Sequence, residues 1–155
     1  MKRGFFFIII FLIALCLSGA CAESSSAYNI VASANGYSVR LLAAHRAKDS
    51  KGSPIAAVEM VFTNENSEPA SFMSCAQITG FQNGIELHKD EMFLEQDYDW
   101  DSCYTEVKDG ESISVFHALP LQNTDDPVLI TIDIIDIAGW GRAISSVSFP
   151  MKLVD

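Results

Sequence analysis

The densest group of side chains able to do chemistry lies between Lys89 and Glu111, KDEMFLEQDYDWDSCYTEVKDGE, which holds nine carboxylates. Asp97, Asp99 and Asp101 have the D-x-D-x-D spacing that opens an EF-hand calcium loop. Ser102 then stands where that loop needs a glycine for its sharp turn, and Lys108 where it needs a bidentate glutamate. A cation at the closing ligand position works against calcium. The expectation is a solvated acidic loop with no metal and no cofactor.

The same loop sets Tyr98, Trp100 and Tyr104 among its acids, and Gly139-Trp140-Gly141 places a second tryptophan in a turn. Rings beside carboxylates can hold a cationic group, and flat rings can stack on sugars. These four aromatics are the candidate binding residues. The competing expectation is that the tryptophans fold back to cap the open end of the domain, because Trp is mostly sheltered in folded proteins.

Hydrolytic chemistry finds less support. His45, His88 and His117 each fall in or beside a predicted strand, and no serine sits in a G-x-S-x-G elbow. Neither HExxH nor a phosphate-cradling glycine loop occurs. Paired carboxylates are abundant, but a glycosidase pair needs a deep cleft that a small domain seldom offers. No catalytic residue is assigned, and the chain is expected not to be an enzyme.

Four cysteines occur, and two of them, Cys75 and Cys103, fall in the domain that remains once the N-terminal segment is set aside. In an exported domain an even pair reads as one disulfide. It would close a loop of 28 residues, for which the chain-entropy model gives about 3.6 kcal/mol. Two free thiols are the alternative, and a zinc site lacks the further ligands it requires.

The elements that must position these residues are β-strands. YNIVASA meets YSVRLLAAHRA across Asn35-Gly36, a strong hairpin signal, and ASFMSCAQITGFQ meets IELH across Asn83-Gly84. CYTEV and SISVFHALPL flank Asp109-Gly110. PIAAVEMVFTN, PVLITIDIIDI and AISSVSFPMKL alternate apolar and polar residues. About eight strands follow, each with one buried and one wet face, which predicts an antiparallel β-sandwich. The only helical expectation is a turn or two in HKDEMFLEQD.

Ahead of the domain, Lys2 and Arg3 precede the uncharged run FFFIIIFLIALCL and the small residues SGACA. That is the layout of a secretory signal peptide, with an apolar core shorter than the roughly 20 residues of a bilayer-spanning helix. Two cleavage sites overlap. Ala20-Cys21-Ala22 would be cut before Glu23, leaving a free protein. Leu17 to Cys21 resembles a relaxed lipobox, which would leave Cys21 as a lipid-bearing N-terminus and ESSSA as a polar tether. The lipidated form is preferred over free secretion, and both over an uncleaved anchor. The organisation expected is a signal peptide over 1–22, a tether over 23–27 and one domain over 28–155.

Beyond residue 22 the chain carries 8 basic and 20 acidic residues, a formal charge of −12. Such a surface repels nucleic acid, and the basic patch that phosphate recognition needs is missing.

The segments GSPIAAVEMVFTNENSEPASF, FQNGIEL and VKDGESISVFHALPL leading to DDPVLITI resemble, in their order, a family of uncharacterised Gram-positive surface lipoprotein domains. The resemblance spans about Tyr37 to Lys152. It implies an immunoglobulin-like sandwich, similar to that of a small secreted mycobacterial antigen, with no established enzymatic activity. Taken together, the expectation is an exported, lipid-anchored domain that binds a cell-envelope protein or polymer and touches the membrane through its lipid anchor alone. A structural or accessory envelope module and a small hydrolase of envelope polymers are the alternatives.

Overall fold

The computed structural model describes residues 30–88, 92, 94, 97–136 and 141–155. The strands are β1 (Ile30–Ala34), β2 (Tyr37–Lys48), β3 (Pro54–Asn64), β4 (Ala76–Gln82), β5 (Ile85–Glu86), β6 (Ser112–Pro120), β7 (Val128–Asp136) and β8 (Arg142–Met151). A single helical turn, α1 (Phe72–Cys75), precedes β4, and a 3₁₀ turn, Trp100–Tyr104, lies between β5 and β6. The proposed signal peptide, Cys21 and the tether, Trp140, and most of the stretch expected to be helical lie outside the described residues.

Two antiparallel sheets form, in the orders β1-β2-β3-β6 and β5-β4-β7-β8. The chain changes sheet between β3 and β4, between β5 and β6, and between β6 and β7. The other strand-to-strand connections stay within a sheet. That is the Greek-key connectivity of an immunoglobulin-like sandwich. Both Asn-Gly pairs make the expected tight turns: Asn35 and Gly36 have φ of 50° and 74°, Asn83 and Gly84 of 53° and 77°. A turn with both central residues left-handed matches the twist of the strands it joins.

Alternation decides what is buried. Val58, Met60 and Phe62 of β3 and Ile130, Ile132 and Ile134 of β7 are sealed from solvent and face each other across the sheets. Phe62 stacks on Tyr37 at 6.2 Å and meets Phe72 of α1 edge-on at 6.3 Å, so the helical turn plugs one end of the core. A bulge in β2 between Leu41 and Ala43 shifts the register, and Ala44 faces inward in turn. Past the bulge the C-terminal tail takes over the edge of β2: Val154 bridges His45 in parallel, and Arg46 pairs with Asp155 at 2.5 Å.

Buried polar side chains hold the loops. Asn64 donates to the carbonyls of Glu68 and Val107, each at 2.8 Å. Gln82 donates to the carbonyls of Asn123 and Asp126 and accepts from Gln122 N–H at 2.8 Å. Every buried side-chain polar atom among the described residues has a partner, as the cost of an unmade bond in an apolar interior demands.

Two expectations are corrected. CYTEV is not a strand. Cys103 and Tyr104 belong to the 3₁₀ turn, and Val107 forms a single bridge with Ala70. The disulfide is not formed: Cys75 and Cys103 are both buried free thiols. Cys75 Sγ lies 3.3 Å from Ser74 Oγ, whereas Cys103 donates to the carbonyl of Phe116 at 2.9 Å. Each sulfur is engaged with its own neighbour, and the β3–β4 and β5–β6 connections are tied instead through Asn64 and the Ala70–Val107 bridge.

Candidate functional site: an aromatic and acidic face on the first sheet

Cross-strand register puts Ala43, Glu59 and Phe116 in one row of the first sheet's outer face, and His45, Ala57 and Ala118 in the next. Alternation marks this face as wet, yet Ala57 is 0% and Ala118 4% exposed. What covers them is the acidic loop. Alanines leave the depth that a ring needs, and the loop lays two rings there: Tyr98 sits 5.2 Å from Phe116 and 6.1 Å from His45, and Trp100 sits 5.2 Å from Tyr98. His45 Nε2 meets Glu59 Oε2 at 3.2 Å beside them.

The loop is fixed by the free edge of β6, which is the last strand of its sheet. Phe116 N–H donates to Ser102 Oγ at 3.2 Å, and Phe116 C=O accepts from the Cys103 thiol at 2.9 Å. Ser102 donates its own hydroxyl hydrogen to the carbonyl of Asp99. Two adjacent side chains thus replace one rung of a missing strand, which is one way to close an edge against unwanted pairing. Burial, and then the Asp99 charge, push the Cys103 pKa up to about 11. It is therefore a thiol at neutral pH and able to donate.

Of the residues singled out from sequence, Tyr98 and Trp100 are brought together and half-buried, packed down on β6. Tyr104, at the end of the same 3₁₀ turn, is 67% exposed. Asp97, Asp99 and Asp101 are all exposed around the turn. Among the described residues, no three His, Cys, Asp or Glu side chains come close enough together to hold a metal ion. Sequence reasoning missed His45, Glu59 and Phe116. Their signal was indirect, in alanines at positions 43, 57 and 118 of a face expected to be polar.

Chemically the arrangement offers a cluster of tilted rings rimmed by carboxylates, with one phenol exposed. The nucleophile-type side chains of the turn, Ser102 and Cys103, are committed to backbone groups.

A family profile described as a domain of unknown function, DUF5067, matches residues 21–133. The chain belongs to that family. The match runs from Cys21 through the aromatic face and ends inside β7. Among solved structures, a candidate lipoprotein from Staphylococcus aureus subsp. aureus NCTC 8325 is similar, with a TM-score of 0.57 at 13% identity. The likeness covers 81% of this chain and 92% of that one. At this identity it speaks for the fold. No curated protein matches the chain. The expected membership of a domain family without an assigned function, and the expected sandwich fold, therefore hold.

Proposed function

We propose that the protein is an exported, lipid-anchored surface domain that binds a basic segment of a cell-envelope partner through the Tyr98–Trp100–Tyr104 face and does no catalysis. The observation that carries this reading is the cluster of tilted rings on β6. Tyr98 and Trp100 are locked to β6, and Tyr104 with Asp97, Asp99 and Asp101 is left facing solvent on a scaffold that does not have to reorganise. Rings presented with acids suit lysine- or arginine-rich partners, and preorganisation lowers the entropy lost on binding. Two features support the anchor: the lipobox-like residues Leu17 to Cys21 and a family match that starts at Cys21.

The test is affinity capture from the host's membrane and wall fraction, comparing the wild-type domain with a Tyr104→Ala, Asp99→Asn, Asp101→Asn variant. A stoichiometric partner lost by the variant is expected; one retained in full overturns the assignment of the face. Intact mass of the membrane-bound protein checks the anchor. A form starting at Cys21 and heavier by a diacylglyceryl group is expected, and a form starting at Glu23 removes the lipid claim.

A further inference from the structure

An open sheet ends in two edge strands whose unpaired N–H and C=O groups invite another strand, and folds blunt such edges. Three of the four edges here are blunted. β6 is capped by Ser102 and Cys103, β5 has two residues, and β1 has five. β8, the last strand of the second sheet, has ten, RAISSVSFPM, with no lysine and no carboxylate among them.

Pro150 fixes which way that edge is turned. It has no N–H to give, yet it sits inside the β7–β8 ladder opposite Leu129. In an antiparallel pair a proline fits where the backbone points away from the neighbouring strand. Alternation then turns the N–H and C=O of Ser148 and Ser146 outward as well, while Phe149 and Val147 bond to β7. Among the described residues no hydrogen bond reaches the outward backbone groups of Ser146 or Ser148. Ile144 has no partner across the ladder, because the register slips between Ser145 and Ala143. Beyond that bulge the edge runs regular and open from Ser145 to Met151.

The side chains along it suit a second copy of the same edge. Ser146, Ser148 and Pro150 are exposed on the solvent side, and Val147 and Phe149 are half-buried against the core. Laid antiparallel with Ser148 opposite its own equivalent, the edge sets Val147 beside the copy's Phe149, and Phe149 beside the copy's Val147. Both are aromatic–β-branched pairs at non-hydrogen-bonded positions, where side chains come closest. Ser148 exchanges two backbone bonds with its equivalent, and Ser146 N–H meets the copy's Pro150 C=O. The strand brings no carboxylate to the contact, although the chain as a whole is strongly acidic. We propose that β8 is a docking edge for a second copy of this chain, antiparallel about Ser148, which joins two four-stranded sheets into one. A contact this short is small, so the dimer is a weak one, micromolar or above. The edge is separate from the aromatic face and does not rest on the role given to it.

The test is made on the processed chain from Glu23 onward, which carries no lipid, across a concentration series. Sedimentation velocity is expected to show the mass doubling toward millimolar protein. Amide hydrogen exchange locates the contact: Ser146 and Ser148 should slow with concentration, whereas Val147 and Phe149, already protected by β7, should not change. In a mixture of labelled and unlabelled chains, a nuclear Overhauser contact between the α-hydrogens of Val147 and Phe149 of different copies is expected. Ser148→Pro removes an N–H that the chain's own sheet does not use. It should weaken association roughly tenfold or more, as loss of two hydrogen bonds per dimer does, with the fold intact by its amide spectrum. Added salt should tighten the dimer by screening two acidic chains, the opposite of its effect on a basic partner at the aromatic face. A chain that stays monomeric at millimolar concentration overturns the proposal. So does a dimer that leaves Ser146 and Ser148 exchange unaltered, or one that a folded Ser148→Pro variant forms at wild-type affinity. Protection of the two serines only by another polypeptide would overturn the choice of a second copy. Tyr104→Ala should leave the dimer unchanged, which separates failure here from failure at the aromatic face.

Discussion

On the outer face of the first sheet, Glu59, Phe116 and His45 lie beneath or beside Tyr98 and Trp100, and the alanines between them are sealed. On the outer face of the second sheet, the row Thr79–Thr131–Ser148 and the row Gln77–Asp133–Ser146 remain exposed or half-exposed. Both faces began as the wet side of an alternating pattern. The first acquired a third layer because β6 is an edge strand with hydrogen-bonding groups to satisfy and the acidic loop carries side chains that satisfy them. The second sheet ends instead in two-residue β5 and in β8, and no such loop crosses its face among the described residues.

If the aromatic layer is integral to the fold, truncating its centre should be costly. Phe116→Ala is expected to lower stability by about 3 kcal/mol, the low end of the range for large-to-small aromatic changes. Urea denaturation followed by tryptophan fluorescence and, independently, by far-UV circular dichroism measures it. A loss under about 1 kcal/mol would mean that the rings merely rest on the sheet and that the first face is as bare as the second.

The rung made by Ser102 and Cys103 comes next in size. Ser102→Ala leaves the Phe116 N–H without its acceptor and is expected to cost about 1–2 kcal/mol. The Cys103 thiol should resist iodoacetamide at neutral pH in the folded state and react after unfolding, since it is buried with a pKa pushed up to about 11. Reduction should leave the intact mass unchanged. A loss of about two mass units on oxidation, reversed by reductant, would instead show that the two thiols reach one another.

Much of the sandwich was legible because its rules are local. A strand with one buried face must alternate, and Asn83-Gly84 supplies the two positive φ values that a two-residue hairpin needs. The aromatic layer was not legible, because covering a sheet face is a decision taken between segments distant in the chain. CYTEV resembled a strand and became a turn that uses side chains where a strand would use backbone. The Cys75–Cys103 pair met the rule for an exported domain, but composition says nothing of whether two Cα atoms approach to the few ångströms a bond requires. His117 read as one more strand histidine, yet its pairing with Val58 starts it on the core face of β6. IELH gave no sign of stopping after Glu86.

Acidification probes the side of β6 away from the rings. The folded-state pKa of His117 lies below its ordinary value, so the unfolded chain binds a proton first. Stability from this group is therefore full above about pH 6.5, the unfolded value. It falls as pH drops from there toward the folded pKa. The difference in stability between wild type and His117→Gln should change over that window and be flat above pH 7. Taking the difference removes the carboxylates, which act on both proteins alike. A flat difference from pH 7.5 to 5 would place His117 in water.

The smallest effect is expected where the second sheet faces solvent. Thr131 Oγ1 and Ser148 Oγ pair at 2.7 Å on that exposed face, as Thr63 and Ser112 do on the uncovered half of the first sheet. Cross-strand hydroxyl pairs contribute a few tenths of a kcal/mol up to about 1. Thr131→Ala and Thr63→Ala should both stay within about 0.5 kcal/mol of wild type, against the sixfold larger loss for Phe116→Ala. The pairing of the two threonines is what gives the measurement its force, because they sit in like surroundings on opposite sheets. Should Thr131→Ala cost well over 1 kcal/mol while Thr63→Ala does not, the second face is also covered in solution. Concentration dependence of that loss would then identify the cover as another copy of this chain.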